Sequence, residues 1–276
     1  MEKRNLISPF QHGFRKKHEC LQQISSLLNI THSRKLARNF GKKLQTWIAF
    51  IDFEKAYDSV WHDGLFFAMA KFGIGGAALR FIRALYSVQS ARVATDVGLT
   101  DHFSIRKGVR QGCVLSPFLF NIYINSLLEN PSWNPVKIFG SKIKFHGLLY
   151  ADDVAILAPS KIQLTRALDH ISRWCDFWKM KINASKCGIM HIGHRFPSRT
   201  EQKFLPIGEH MIPCVNKYKY LGYTITYNLQ HTQHIHKLKK DMNKELNRLS
   251  YFLQKPNIPI TTKILVIKQQ IQSIPC

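Results

Sequence analysis

Acidic residues are scarce in this chain. Its 276 residues hold 17 Asp and Glu against 40 Lys and Arg, a formal net charge of +23. Such an excess makes a polyanion the expected partner, nucleic acid first and an acidic membrane surface second. Long apolar runs are missing as well. Nothing approaches the roughly 18 consecutive apolar residues of a membrane span, and the opening stretch "MEKRNLISPFQHGF" has no apolar signal core. The sequence therefore reads as soluble and intracellular. Cys20, Cys113, Cys175, Cys187, Cys214 and Cys276 are scattered without a C-x-x-C, a pattern of reduced thiols and not of a disulfide framework. No G-x-x-x-x-G-K-[ST] occurs, so nothing points to ATP hydrolysis. No internal repeat and no low-complexity linker divides the chain.

What is present is core-forming material. Hydrophobic residues make up 45% and aromatics 12%, enough for one large domain or two smaller ones and too much for disorder. Leu21, Ile24, Leu27 and Leu28 recur at helical spacing over 18–30. The stretch "HSRKLARNFGKK" (32–43) is basic and free of acids, suited to a solvated face or a backbone-phosphate contact. "TWIAFIDF" is a β-rich run ending at Asp52. Residues 63–87 read as two helices broken at "GIGG", a helix–helix turn and not a dinucleotide loop. "ARVATDV" and "DHFSIRKGV" suggest a hairpin, and "SPFLFNIYINSLLE" a helix with Ser116 as N-cap and Pro117 at its first position. "KIKFHGLLYADDVAIL" reads as strand, tight turn, strand, and "KIQLTRALDHISRWCDFWKM" as a long amphipathic helix. "KCGIMHIG" and "YKYLGYTIT" are short strands, and about 231–272 is basic and helical in two pieces parted by "KPNIP". Mixed elements without βαβ alternation predict an α+β fold with an antiparallel sheet.

The chemistry concentrates in acids set within apolar runs. In "LLYADDVAIL" (148–157), Asp152 and Asp153 sit side by side among residues that want burial, a costly arrangement unless something neutralises them. In "FIDFEKAYDSVWH" (50–62), Asp52 closes an apolar strand. If the two strands are neighbours, three carboxylates converge at strand ends. Oxygen-bound divalent cations would relieve their repulsion, Mg²⁺ being the usual choice. Two such ions about 3.5–4 Å apart suit an in-line phosphoryl displacement. A solvated turn that happens to carry Asp-Asp is the plainer alternative. The basic, glycine-containing loop and Pro-started helix of "RKGVRQGCVLSPFLFNIYIN" (106–125) can pass close to a nucleotide and its template.

The ordered blocks "QHGFR" (11–15), "FIDFEKAYDSVWH", "GVRQGCVLSPFLFNIYIN" (108–125), "LLYADDVAIL", "WKMKINASKCGIM" (178–190) and "YKYLGYTI" (218–225) resemble the reverse transcriptase of non-LTR, LINE-type retrotransposons. The resemblance spans about residues 10–226. It implies a right-hand polymerase: partial fingers (1–49), a palm with interleaved finger segments (50–230) and the start of a helical thumb (231–276). It implies that Asp52 and Asp152 ligate two Mg²⁺ ions, with Mn²⁺ as a substitute, the Phe53 carbonyl as a further ligand and Asp153 completing the acidic cluster. Tyr57 would fall at the steric gate that favours dNTP over rNTP. Gln111 and Gly112 would line the incoming nucleotide and template base, Arg15 would meet the triphosphate, and Lys186 would protonate the departing pyrophosphate, with a solvated strand-end lysine as its alternative. Tyr220, Leu221 and Gly222 would place the primer 3′ end. The implied partners are an RNA template, a DNA primer, their heteroduplex and dNTP, with no membrane; target-primed integration would place the protein in the nucleus.

Departures from the family pattern temper this reading. The family carries more finger sequence ahead of "QHGFR" and a longer thumb, so the chain reads as truncated at both ends, without the endonuclease expected in the parent protein. Two other readings therefore stay open: a catalytically silent nucleic-acid-binding remnant, and a group II intron maturase-type reverse transcriptase. Among weaker signals, Cys187, His191 and His194 have zinc-like spacing but no evident fourth ligand. His231, His234 and His236 suit a polar helix face. Trp174, Phe177 and Trp178 suit core packing more than a base-stacking platform.

Overall fold

The apolar run before Asp52 forms an inner strand of an antiparallel sheet. The computed structural model describes residues 6–41, 44–193 and 204–270. In it β1 (Thr46–Ile51), β2 (Gly147–Tyr150), β3 (Asp153–Ala158) and β4 (Gly188–Ile192) pair in the order β4-β1-β3-β2. The register sets Ile48 opposite Met190 on one side and Leu157 on the other, and Ile51 opposite Val154.

Alternation along each strand divides the core into two layers. Ile48, Phe50, Leu157 and Met190 pack with Leu27 and Ile30 of α1 (Cys20–Leu36) and with Tyr220 and Ile225 of the hairpin β7 (Lys217–Tyr220) and β8 (Tyr223–Thr226). Ala49, Ile51, Val154, Ile156 and Ile189 face the other way. They meet a layer built from α2 (His62–Lys71), α4 (Ser116–Ile124) and α5 (Lys161–Trp178). Burial on both faces explains why β1 and β3 are almost wholly apolar although their pairing is antiparallel.

The "GIGG" turn joins α2 to α3 (Gly76–Ser87) as expected. Ser160 caps α5, its hydroxyl accepting from the Gln163 N–H at 3.2 Å. Trp174 and Trp178 are core residues, whereas Phe177 is exposed. The segment 90–104 folds back as two short nested pairings, Ser90 with Ser104 and Ala94 with Leu99.

Two expectations need correction, and one element was not expected. Ser116 is not the N-cap of α4; it is the first helical residue after Leu115, and its hydroxyl donates to the Arg110 carbonyl, tying the helix to the "RQG" loop. The basic run after residue 31 is not simply a solvated face. Arg34 is buried, donating to the Thr46 hydroxyl at 2.8 Å and to the Lys137 carbonyl at 3.0 Å; neutral oxygens compensate its desolvation. The stretch "FLPIGEHMIP" forms an unforeseen hairpin, β5 (Phe204–Ile207) and β6 (His210–Pro213), whose Leu205, Ile207 and Ile212 are buried. Pro206 and Pro213 hid it, since proline within a run argues against a central strand but not against a lone two-stranded ribbon.

The chain ends in α6 (Thr232–Gln254) and α7 (Ile260–Gln270), none of whose described residues is buried. Among the described residues, no helix is long and apolar enough to cross a membrane.

Candidate active site

Asp52 lies one step past the Ile51–Val154 pair, which brings it beside Asp153 at the open end of β1 and β3, about 5 Å between backbones by antiparallel geometry. Its backbone is held at both ends by the segment leading into β4. The Asp52 N–H donates to Cys187 Sγ at 3.3 Å, and its carbonyl accepts from the Asn183 N–H at 2.9 Å. Lys186 Nζ stands 4.0 Å from Asp52 Oδ2. Phe53 is buried and bridges to Ile182. The bonds of that bridge come from the Asp52 carbonyl and from the Glu54 N–H, which donates to Lys181 at 2.8 Å, so the Phe53 carbonyl lies outside this ladder.

The carboxylates of Asp152, Asp153 and Asp52 repel one another. Burial, then the Asp52 charge, pushes Asp152 above the usual carboxylate range. Burial, then Asp152, then Asp52, pushes Asp153 up to about 6. Burial chiefly, with a smaller push from Asp152, raises the Tyr57 hydroxyl; burial chiefly, with Asp153 among the smaller causes, raises Cys20, Tyr218 and Tyr220. The Asp52 charge acts on both Asp152 and Asp153, and among the described residues no three His, Cys, Asp or Glu side chains are grouped to hold one ion. The donor set nevertheless fits a hard divalent cation: oxygen donors only, mutual repulsion, and an ion pair as long as 4.0 Å from Lys186.

Tyr57 stacks on Phe120 with ring centroids 4.6 Å apart and meets Phe14 edge-on at 6.4 Å. Its hydroxyl is buried without a hydrogen-bond partner. The "RQG" loop closes against the same segment. Gly108 has a left-handed φ of +95°, and a Cβ there would come within 3.0 Å of the Asp58 carbonyl oxygen, so glycine is required. Its N–H donates to Val60, and His62 Nε2 meets its carbonyl at 2.9 Å. Gln111 donates to Asp58 Oδ1 at 2.9 Å, and Gly112 stands in open space.

Residues 1–225 match the profile of the family described as "Reverse transcriptase (RNA-dependent DNA polymerase)". The chain belongs to the reverse transcriptase family. Curated relatives include the RNA-directed DNA polymerase from mobile element jockey of Drosophila melanogaster, 26% identical over 260 residues, covering 91% of this chain and 27% of that protein. The Pol polyprotein from type-1 retrotransposable element R2 of Popillia japonica is 28% identical over 261 residues, covering 85% and 42%. These matches place the chain with the reverse transcriptases of LINE-type elements. The chain spans less than half the length of these relatives. In fold it is similar to apo telomerase from Candida tropicalis truncated from its C-terminal domain, with a TM-score of 0.55 at 15% identity over 79% of this chain and 40% of that one. The expected α+β polymerase fold is therefore the observed one.

The remaining expected site residues of this reverse transcriptase are dispersed. Arg15 donates to the carbonyls of Ser8 at 3.0 Å and Gln11 at 2.9 Å, bracing its own loop. Tyr220 is core: 2% exposed, tilted against Phe50 at 5.5 Å. Leu221 and Gly222, both with positive φ, form the tight turn of the β7–β8 hairpin. That turn borders a cavity of about 750 Å³ between α1, Tyr150 and α6, lined among others by Cys20, Lys219 and Lys237. His231 engages the Tyr223 hydroxyl and stacks on His32. Cys187 is tied to Asp52 and His191 stacks on Trp47 at 4.2 Å; His194 lies outside the described residues.

The roles of four contributors escaped the sequence reading: Gln11, Asp58, Cys187 (weighed there only as a zinc ligand) and Tyr218. Tyr218 stacks flat on Phe50 at 4.2 Å and donates to the Lys186 carbonyl at 2.8 Å. All four lie inside quoted motif blocks, which was the available signal; their partners are far away in sequence, which is why it was not enough.

Proposed function

We propose that this chain performs RNA-templated DNA synthesis: a primer 3′-hydroxyl attacks the α-phosphate of a dNTP, the new P–O bond forms, the α–β phosphoanhydride breaks, and pyrophosphate leaves. The observation that carries the reading is Asp52 at the end of β1, set beside the "YADD" turn that carries Asp152 and Asp153. Asp52 and Asp152 would hold Mg²⁺ (or Mn²⁺), with the Phe53 carbonyl and Asp153 as further oxygen donors. Bound there, the ions supply positive charge at the attacking and departing oxygens.

This chain's own groups do the rest. Tyr57, wedged on Phe120, leaves no room for a ribose 2′-hydroxyl and so selects dNTP. Gln111, held by Asp58, and Gly112 face the nucleotide and template base. Lys186, 69% exposed at its side chain, is free to swing from Asp52 to the pyrophosphate and deliver a proton. Arg15 serves the triphosphate by keeping the 8–15 loop closed over it. The Leu221–Gly222 turn sets the primer end at the cavity beside Tyr150, and the surplus of Lys and Arg grips the RNA–DNA heteroduplex by its phosphates. Action at a chromosomal target would place the protein in the nucleus.

Primer extension on poly(rA)/oligo(dT) with Mg²⁺, run beside Asp152→Asn, tests this. Extension by the unmodified chain and none by the variant is the expected result. Duplex binding without extension by either protein rejects it in favour of a silent nucleic-acid-binding remnant.

A further inference from the structure

We infer that Gln11 is a positioning residue that locks the turn presenting Asp152 and Asp153, an inference that rests on the polymerase reading above. Ala151, the residue just before the two acids, has a left-handed φ of +54°, a conformation that a residue with a Cβ disfavours. Gln11, fully buried and 140 residues away, brackets Ala151 on both sides of its Cα. Its Oε1 accepts from the Ala151 N–H at 3.0 Å and from the Gly13 N–H at 2.9 Å, and its Nε2 donates to the Ala151 carbonyl at 3.4 Å.

The segment carrying Gln11 is itself pinned to the strand that leads into the turn. The His12 N–H donates to the Leu149 carbonyl and the Leu149 N–H to the Phe10 carbonyl, both at 2.9 Å. A Cβ at Gly13 would stand 2.3 Å from the Ala151 nitrogen, so only glycine lets the segment approach this closely. Asn121 of α4 donates to the Gly13 carbonyl at 2.7 Å, anchoring the clamp to the layer that carries Phe120.

The chemistry explains the residue type. Rotation at Ala151 would swing both following carboxylates, and their mutual repulsion favours such relaxation. A primary amide is the side chain that can both accept from the N–H and donate to the carbonyl of one residue. It thereby holds the two peptide groups on either side of that Cα without adding charge beside three acids. An apolar side chain of the same length would leave two buried N–H groups unsatisfied.

The test compares Gln11→Met with Gln11→Met/Ala151→Gly in the full chain. Glycine adopts the left-handed turn without help, so it relieves a positioning defect but not a packing defect. Gln11→Met is expected to lower kcat on poly(rA)/oligo(dT) by about 10- to 100-fold, with KM for dTTP and Kd for the duplex within about twofold. Hydrogen exchange should quicken in residues 149–153 while β1 keeps its protection, and the double variant should recover most of kcat. If Gln11→Met does not fold, Gln11→Glu, which keeps the shape and both accepted bonds, takes the same readouts. An unchanged kcat overturns the inference. So does a loss that tracks Tm and duplex binding together and is not relieved by Ala151→Gly. If the unmodified chain extends no primer, the polymerase reading fails. Exchange then decides the positioning role: faster exchange confined to 149–153 sustains it, and unchanged or global exchange ends it.

Discussion

The four-stranded sheet and the C-terminal helix pair are held together in different ways. In β1 and β3 nearly every side chain is buried, on both faces, between two layers of helices and a hairpin. In α6 and α7 no described residue is buried, and Ile235, Tyr251 and Ile260 are 60%, 73% and 74% exposed. The helix pair meets the rest through polar and aromatic contacts at its root, His234 against Tyr223 at 4.1 Å among them. The difference matches what the proposed function asks of each part. Carboxylates that it needs placed to a fraction of an ångström sit on the most constrained backbone. The surface that it gives to a flexible polyanion has little to hold it in one place.

The largest effect expected is at the site the sheet presents. Asp52→Asn should cut primer extension by roughly 10³-fold or more, the several kcal/mol expected when metal-held charge stabilisation is lost, while urea unfolding stays close to that of the parent. A variant that keeps its rate would separate the rigid sheet from the chemistry assigned to it.

Next in size is the contrast in packing. Leu157→Ala, at a fully buried position, should cost about 3–4 kcal/mol in urea unfolding. Leu265→Ala in α7, 54% exposed, should stay within about 0.5 kcal/mol. Equal costs would erase the distinction between the two regions.

A smaller effect concerns acid. Burial holds His146 and His170, which flank Trp133 at 5.4 Å each, below the usual histidine value. The folded protein therefore resists taking up protons that the unfolded chain accepts, so this contribution is present above the unfolded value and is lost as pH falls below about 6.5. His170→Gln should narrow the drop in Tm between pH 7.5 and 5.5; an undiminished drop would remove this histidine from the account. The smallest effect belongs to the helix pair: Lys240→Gln should lower the salt slope of duplex binding by about one and leave kcat alone, as salt titration of binding will register.

Much of this was readable beforehand. The apolar runs ending at Asp52 and flanking Asp152–Asp153 announced strands, and "GIGG" and "KPNIP" announced breaks, because burial and local backbone preference act over short stretches. Arg34 was misread because a basic run looks the same whether it meets solvent or a ring of carbonyls. Ser116 was misplaced by one position because cap and first helical residue share similar composition. The spacing of Asp152 and Asp153 does not say which way each carboxylate leaves the turn.

By itself, then, the order of residues determined the family, the strands that carry the acids and the types of side chain available for chemistry, since these depend on composition and on contacts within a few positions. Only the tertiary structure decided that Cys187 grips the backbone of Asp52 and that Gln11 brackets Ala151 from 140 residues away. Those are long-range pairings of buried polar groups, and a buried amide finds its partner only once the layers around it have closed.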